Sequence, residues 1–155
     1  MKLPVVVPSM AAARYYAGVD LGTTEWLLID QARIDRFGDA TNDRQWIHCD
    51  VERASRESPW KSTVAHGYLL LSLAPTLLKK LLVLLGWRTA INTGVEKLRF
   101  PAPVPAGSRV RLAGRIANTR SLPGGGCRVG FGIEFEVEGR DEPACTAIVN
   151  FVYFP

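Results

Sequence analysis

Tyr68-Leu-Leu-Leu-Ser-Leu-Ala-Pro-Thr-Leu-Leu-Lys-Lys-Leu-Leu-Val-Leu-Leu85 is apolar nearly all the way round a helix, relieved only by Ser72, Thr76, Lys79 and Lys80. A helix of that kind is enclosed by protein on most sides, and a curved sheet wrapped around it would enclose it. Gly86 is expected to end it by ordinary C-terminal chemistry. A membrane span is excluded, because Lys79 and Lys80 would each cost roughly 2.5–3.5 kcal/mol near a bilayer centre and Pro75 interrupts the run.

Downstream the period changes from helical to alternating. Val129, Phe131, Ile133, Phe135 and Val137 alternate with Gly130, Gly132, Glu134, Glu136 and Glu138, a strand with one buried face. Val110, Leu112 and Ile116 alternate with Arg109, Arg111 and Arg115 in the strand before it, which places the arginines on the solvated face. Leu122-Pro-Gly-Gly-Gly126 joins the two as a hairpin loop. Gly139 to Pro143 turns the chain into a third strand, Ala144 to Tyr153. One buried helix followed by an antiparallel meander indicates an α+β architecture.

Upstream, Trp26 to Asp30 reads as a short extended entry. Asp30 or Gln31 opens a short helix through Ile34 and Phe37, with Gly38 near its end. Asp43 to His48 follows as a turn and an irregular piece. Asp50 caps a helix from Val51 to Glu57, which Ser58-Pro59 stops.

Length and composition are those of one globular domain over residues 1–155: 47% of the residues are hydrophobic and 22% charged. Residues 1–25 are expected to be a variable, flexible or strap-like leader. Pro4 and Pro8 break the apolar stretch there, so it is not a secretory signal. Cys49, Cys127 and Cys145 follow no metal-finger spacing and read as free thiols in a reducing, cytoplasmic compartment. The net charge of +4 is modest. With no zinc finger, aromatic RNA-binding motif or basic helix, it does not point to nucleic acid.

The chemistry-bearing stretch is Phe37-Gly-Asp-Ala-Thr-Asn-Asp-Arg-Gln-Trp-Ile-His-Cys-Asp50. Asp43 stands five residues before His48, one of only two histidines. The other, His66, adjoins Gly67, which leads directly into the apolar helix. A carboxylate, an imidazole and a glycine-entered helix N-terminus can hold a water and polarise a carbonyl. Taken singly, Asp43 reads as a turn residue and His48 as a core histidine; taken together they read as a site. Asp43, His48, Asp50 and His66 lack a recognised metal spacing, so no metal is expected. A nucleophilic Cys49–His48 pair is disfavoured, since neighbours in extended chain point apart.

Asp43-x-x-x-x-His48 with Ala65-His66-Gly67-Tyr68 resembles the signature of the MaoC-like dehydratases, which include the (R)-specific enoyl-CoA hydratases. Ala40 to Asp50, together with Lys97-Leu-Arg-Phe-Pro-Ala-Pro-Val-Pro-Ala-Gly-Ser-Arg109, is most similar to the branch that contains nodulation protein N. The resemblance runs from about Leu27 to the C-terminus. Asn42 departs from it, standing where that branch carries glycine; asparagine tolerates left-handed backbone.

The resemblance implies the hot-dog fold and hydration of trans-2-enoyl thioesters to (3R)-3-hydroxyacyl thioesters, or the reverse. It further implies a homodimer. Asp43 would deprotonate a water that His48 shares, and the Gly67 N–H would receive the thioester oxygen. His66 and Asn42 would support them. The acyl group would arrive on coenzyme A or on acyl carrier protein, and no other cofactor is implied. Two rival readings stay open: a hot-dog thioesterase, disfavoured because Leu69, Leu70 and Leu71 leave the central helix without an acid, and a non-catalytic acyl-binding subunit.

Overall fold

The computed structural model describes residues 3–155; Met1 and Lys2, with which the expected leader begins, lie outside the described residues. In chain order the strands and helices are β1 (Val5–Val7), β2 (Asp20–Thr23), β3 (Leu27–Ile29), α1 (Gln31–Thr41), α2 (Trp46–Cys49), α3 (Val51–Glu57), α4 (Gly67–Leu81), β4 (Leu82–Leu84), β5 (Thr89–Arg99), β6 (Ser108–Ser121), β7 (Cys127–Val137) and β8 (Cys145–Phe154). An antiparallel sheet in the order β2-β6-β7-β8-β5, with β3 also on β6, packs against α4. This is the hot-dog fold.

The alternation in β7 does what it promised. Val129, Phe131, Ile133, Phe135 and Val137 are all buried, Phe135 completely, and meet Leu70, Leu77 and Leu78 of α4 in one core. On the outer face Arg109 pairs with Glu138 and Arg111 with Glu136 across the β6–β7 register. The hairpin loop turns on Gly124 and Gly125, both at positive φ.

Helix α4 is shorter and more one-sided than its composition suggested. Leu69, Leu70, Ala74, Leu77, Leu78 and Leu81 are buried, whereas Tyr68, Ser72, Thr76, Lys79 and Lys80 are exposed. It ends at Leu81, not Leu85. Leu82–Leu84 pair in parallel with Val5–Val7, and their burial rises from half-buried Leu82 and exposed Val83 to buried Leu84. An apolar run alone cannot separate helix from strand; the distant partner β1 decides it. Gly86, at φ +86, is the corner into β5 rather than a helix cap.

Residues 5–23 form a strap, not a flexible segment. β1, a 3₁₀ turn (Ala11–Tyr15) and β2 place Val7, Met10, Ala13 and Leu21 in the core. Two caps fall where expected: Asp30 accepts from the Arg33 N–H at 2.8 Å, and Asp50 from the Arg53 N–H at 2.9 Å. α1 continues past Gly38 to Thr41, and the Asp43–His48 segment contains the helical turn α2 rather than irregular chain. No helix of the described residues is long and apolar enough to cross a membrane.

Candidate active site

Asn42 ends α1 in the left-handed conformation, φ 57 and ψ 18, which turns the chain so that Asp43 leaves the helix axis. Asparagine takes the place of glycine there without breaking the turn. Gly38, one helical turn back, is where the site closes onto α1. A Cβ at that position would stand 3.1 Å from the Asp43 carbonyl oxygen, 3.1 Å from Cys49 Sγ and 3.6 Å from His66 Cε1. Its role is invisible in sequence, because it depends on three segments converging.

α2 carries His48 on its inner side. Gln31 fixes that turn from behind: its side-chain amide donates to the His48 carbonyl at 2.8 Å, and its carbonyl oxygen accepts from the buried Thr63 hydroxyl. The Val64 N–H donates to the Ile47 carbonyl at 3.0 Å, and the Ala65 N–H to the Val104 carbonyl at 2.8 Å. The segment Thr63–His66 is thus held between α2 and the Phe100–Ala106 loop. Gln31 is a positioning residue that sequence reading missed, since nothing local marks a glutamine that reaches so far along the chain.

His48 Nδ1 lies 2.6 Å from the Val64 carbonyl oxygen. A carbonyl only accepts, so the proton sits on Nδ1 and Nε2 keeps its lone pair. Burial pushes the His48 imidazole below the ordinary 6.5; the Val64 bond and Asp43 oppose that shift, and the His66 ring adds to it. The ring is therefore neutral at pH 7. As pH falls from the ordinary 6.5 toward that depressed value the unfolded chain takes up the proton first, so folding stability falls across that window and levels off once the native ring is protonated as well.

His66 is buried and stacks on His48, ring centroids 3.8 Å apart and planes 25° apart. Its Nε2 is 2.8 Å from the Asp43 carbonyl oxygen and 3.9 Å from the carboxylate. The Asp43 side chain itself is 55% exposed and faces the cavity mouth. A carboxylate oxygen of Asp43 and one ring nitrogen from each histidine lie within 4.8 Å of one another. That grouping has the composition of a metal site. However, His48 Nδ1 and His66 Nε2 each already face a backbone carbonyl, and the remaining His66 nitrogen, Nδ1, is buried. The set is better arranged to hold water than a cation.

These groups line a cavity of about 440 Å³, walled by Trp60, Tyr68, Phe100 and the Pro101–Val104 loop. Gly67 is the first residue of α4; His66, before it, makes no side-chain cap. The N–H groups of Gly67 and its neighbour belong to the open donors of that helix end. A Cβ on Gly67 would meet the Phe100 ring at 2.9 Å, so glycine is needed for the close packing of the Phe100 ring. A second, apolar cavity of about 540 Å³ opens at the other end of α4, between Pro75, Leu78, Trp87, Phe131, Phe151 and Tyr153. Cys49 is no activated nucleophile: burial, reinforced by Asp35, pushes its thiol up. All three cysteines are free.

The chain has relatives in sequence and in fold. A family model described as a MaoC like domain matches residues 14–124. The chain is 43% identical over 148 residues to 3-hydroxyacyl-thioester dehydratase Z of Mycobacterium tuberculosis, covering 94% of this chain and 95% of the relative. To nodulation protein N of Rhizobium leguminosarum bv. viciae it is 38% identical over 140 residues, 90% of this chain and 87% of the relative. Both alignments reach further toward the N-terminus than Leu27. Among solved structures, the C-terminally truncated HadBC complex, a 3R-hydroxyacyl-ACP dehydratase from M. tuberculosis, superposes with a TM-score of 0.71. That superposition, at 15% identity, covers 88% of this chain and 96% of that one.

Proposed function

The chain belongs to the MaoC-like dehydratase family, and from that premise we propose that it interconverts trans-2-enoyl-CoA and (3R)-3-hydroxyacyl-CoA by syn addition and removal of water. The observation that carries the reading is the spacing of Asp43, His48 and His66. Two hydrogen bonds of about 2.8 Å meeting at a near-tetrahedral angle span roughly 4.6 Å, which matches groups within 4.8 Å of one another; one water would bridge the Asp43 carboxylate and His48, whose free lone pair is on Nε2.

In hydration, Asp43 takes a proton as the water oxygen bonds to Cβ, and the electron pair of the double bond moves toward the thioester. The charge developing on the thioester oxygen meets the Gly67 N–H and the positive end of α4. The proton taken by Asp43 passes to the free lone pair of His48 Nε2 and from there to Cα on the same face, while the water's other proton stays on the new hydroxyl. Dehydration runs the same steps backwards. Asn42 serves the site only through the turn it makes. No metal or redox cofactor enters these steps.

The acyl tail would follow the face of α4 that carries Gly67, Leu71, Pro75 and Leu78. At about 1.5 Å per residue that face is roughly 16 Å long, and it leads to the apolar cavity between Trp87, Phe131 and Phe151. Chelator-treated protein is expected to bleach the enoyl-thioester absorbance of crotonyl-CoA and of long-chain 2-enoyl-CoAs, with 3R product on chiral analysis. A consistent 3S product, or release of free CoA without hydration, would remove the reading. The free thiols support a cytoplasmic setting.

For assembly we propose a homodimer joined at β5, the sheet edge, where Ile91 and Val95 are exposed. Light scattering at low micromolar concentration should return twice the chain mass. A monomer with full activity rules the shared interface out, and dimerisation only on mixing with a different chain makes the partner heterologous.

A further inference from the structure

His66 is 3% exposed, yet its Nδ1 is buried with no hydrogen-bond partner among the described residues. An orphaned buried acceptor costs about 1–3 kcal/mol in lost hydration, and an apolar side chain of similar shape would avoid it. Some property of the imidazole offsets that cost. Two contacts identify it. Nε2 must carry the proton, because the atom 2.8 Å away is the Asp43 carbonyl oxygen, and this is what leaves Nδ1 a bare acceptor. The ring also backs His48 at 3.8 Å, while Phe37, tilted 53° to it at 5.1 Å, packs beside it. A phenylalanine could stack but not donate; a glutamine could donate but not stack.

We propose that His66 is a positioning residue for the hydration step: its Nε2–H fixes the Asp43 backbone while its ring backs the His48 imidazole, so that carboxylate and Nε2 address one water. This rests on the hydratase reading. It assigns His66 no contact with the reacting atoms. The titratable groups facing His48 are His66, at the start of α4, and Asp43, after α1; removing the first should let His48 take up its proton at higher pH.

With only two histidines in the chain, side-chain ¹⁵N NMR resolves both rings without turnover. In the wild type, His48 should carry its proton on Nδ1 and His66 on Nε2. His66→Phe should raise the His48 titration midpoint and move the acid limb of kcat/KM upward with it. It should also lower kcat by up to about 10²-fold, the scale of a small misplacement of reacting groups, with KM changed far less. His66→Gln should recover part of kcat by restoring the donor. The proposal is overturned if wild-type His66 carries its proton on Nδ1, or if His66→Phe leaves both the His48 midpoint and kcat unchanged. An inactive wild type would sink the hydratase reading by itself, while the tautomers would still report whether His66 holds the Asp43 carbonyl.

Discussion

Asp43→Asn is expected to lower kcat/KM for enoyl-thioester hydration by about 10²–10⁴-fold, the usual contribution of a positioned general base, with the fold unchanged. The structure makes this substitution a clean one. What ties residue 43 to the protein core is its backbone oxygen, which His66 holds, and asparagine keeps that oxygen. The carboxylate is half exposed and comes no nearer than 3.9 Å to the His66 ring nitrogen. Asparagine retains size and polarity but cannot take the water's proton. His48→Ala should remove comparable activity, though less cleanly, because it strands the Val64 carbonyl that His48 now caps. Two groups that share one water act as a unit, so the double variant should be little worse than either single one. Initial rates with matched circular dichroism decide the matter: near-normal kcat/KM in Asp43→Asn would mean that the base lies elsewhere.

Gly67→Pro compared with Gly67→Ala should isolate the oxyanion donor, with proline slower than alanine by about 10²–10³-fold in kcat. Proline is tolerated at the first position of a helix, where its missing N–H breaks no helical bond. His66, at φ −60 and ψ 135, already has the extended backbone that a following proline demands. Both variants place a Cβ against the Phe100 ring, which is 40% exposed and can swing aside. That disturbance is common to the pair, so their ratio reports what proline alone adds, the loss of the N–H and a ring methylene in its place. Equal kcat values in the two variants would remove the Gly67 N–H from the mechanism.

Where the chain's own pattern determined an element, the sequence was sufficient. The alternation through Val129–Val137 needs no partner to be recognised as a strand, and Asp30 and Asp50 announce helix starts through chemistry confined to four residues. Elements that exist through distant pairing were hidden. β4 is a strand because β1 lies beside it, and β5, an edge strand with no fully buried residue, shows little apolar periodicity. The site divides in the same way. Asp43, His48 and Gly67 could be picked out by residue type and spacing, and they meet around one cavity. Gly38, Gln31 and the Phe100 ring could not, since each matters for what it touches across the fold.

Translation runs in one direction, and the wrapped architecture places α4 on the wrong side of its own sheet for that journey. The helix is complete before any residue of Thr89–Phe154 has been made, so four of the strands that will cover it do not yet exist. At about 5–20 residues per second, its leucines wait roughly 3–13 s for β5–β8. The strap is already present. Val7, Met10, Ala13 and Leu21, which end in the same core as Leu77 and Leu81, are among the apolar groups already made by then, as are Ile29 and Ile34, and β4 follows the helix at once to receive β1. A segment that looks peripheral in the finished molecule thus supplies part of the apolar surface the helix has before most of its sheet is made.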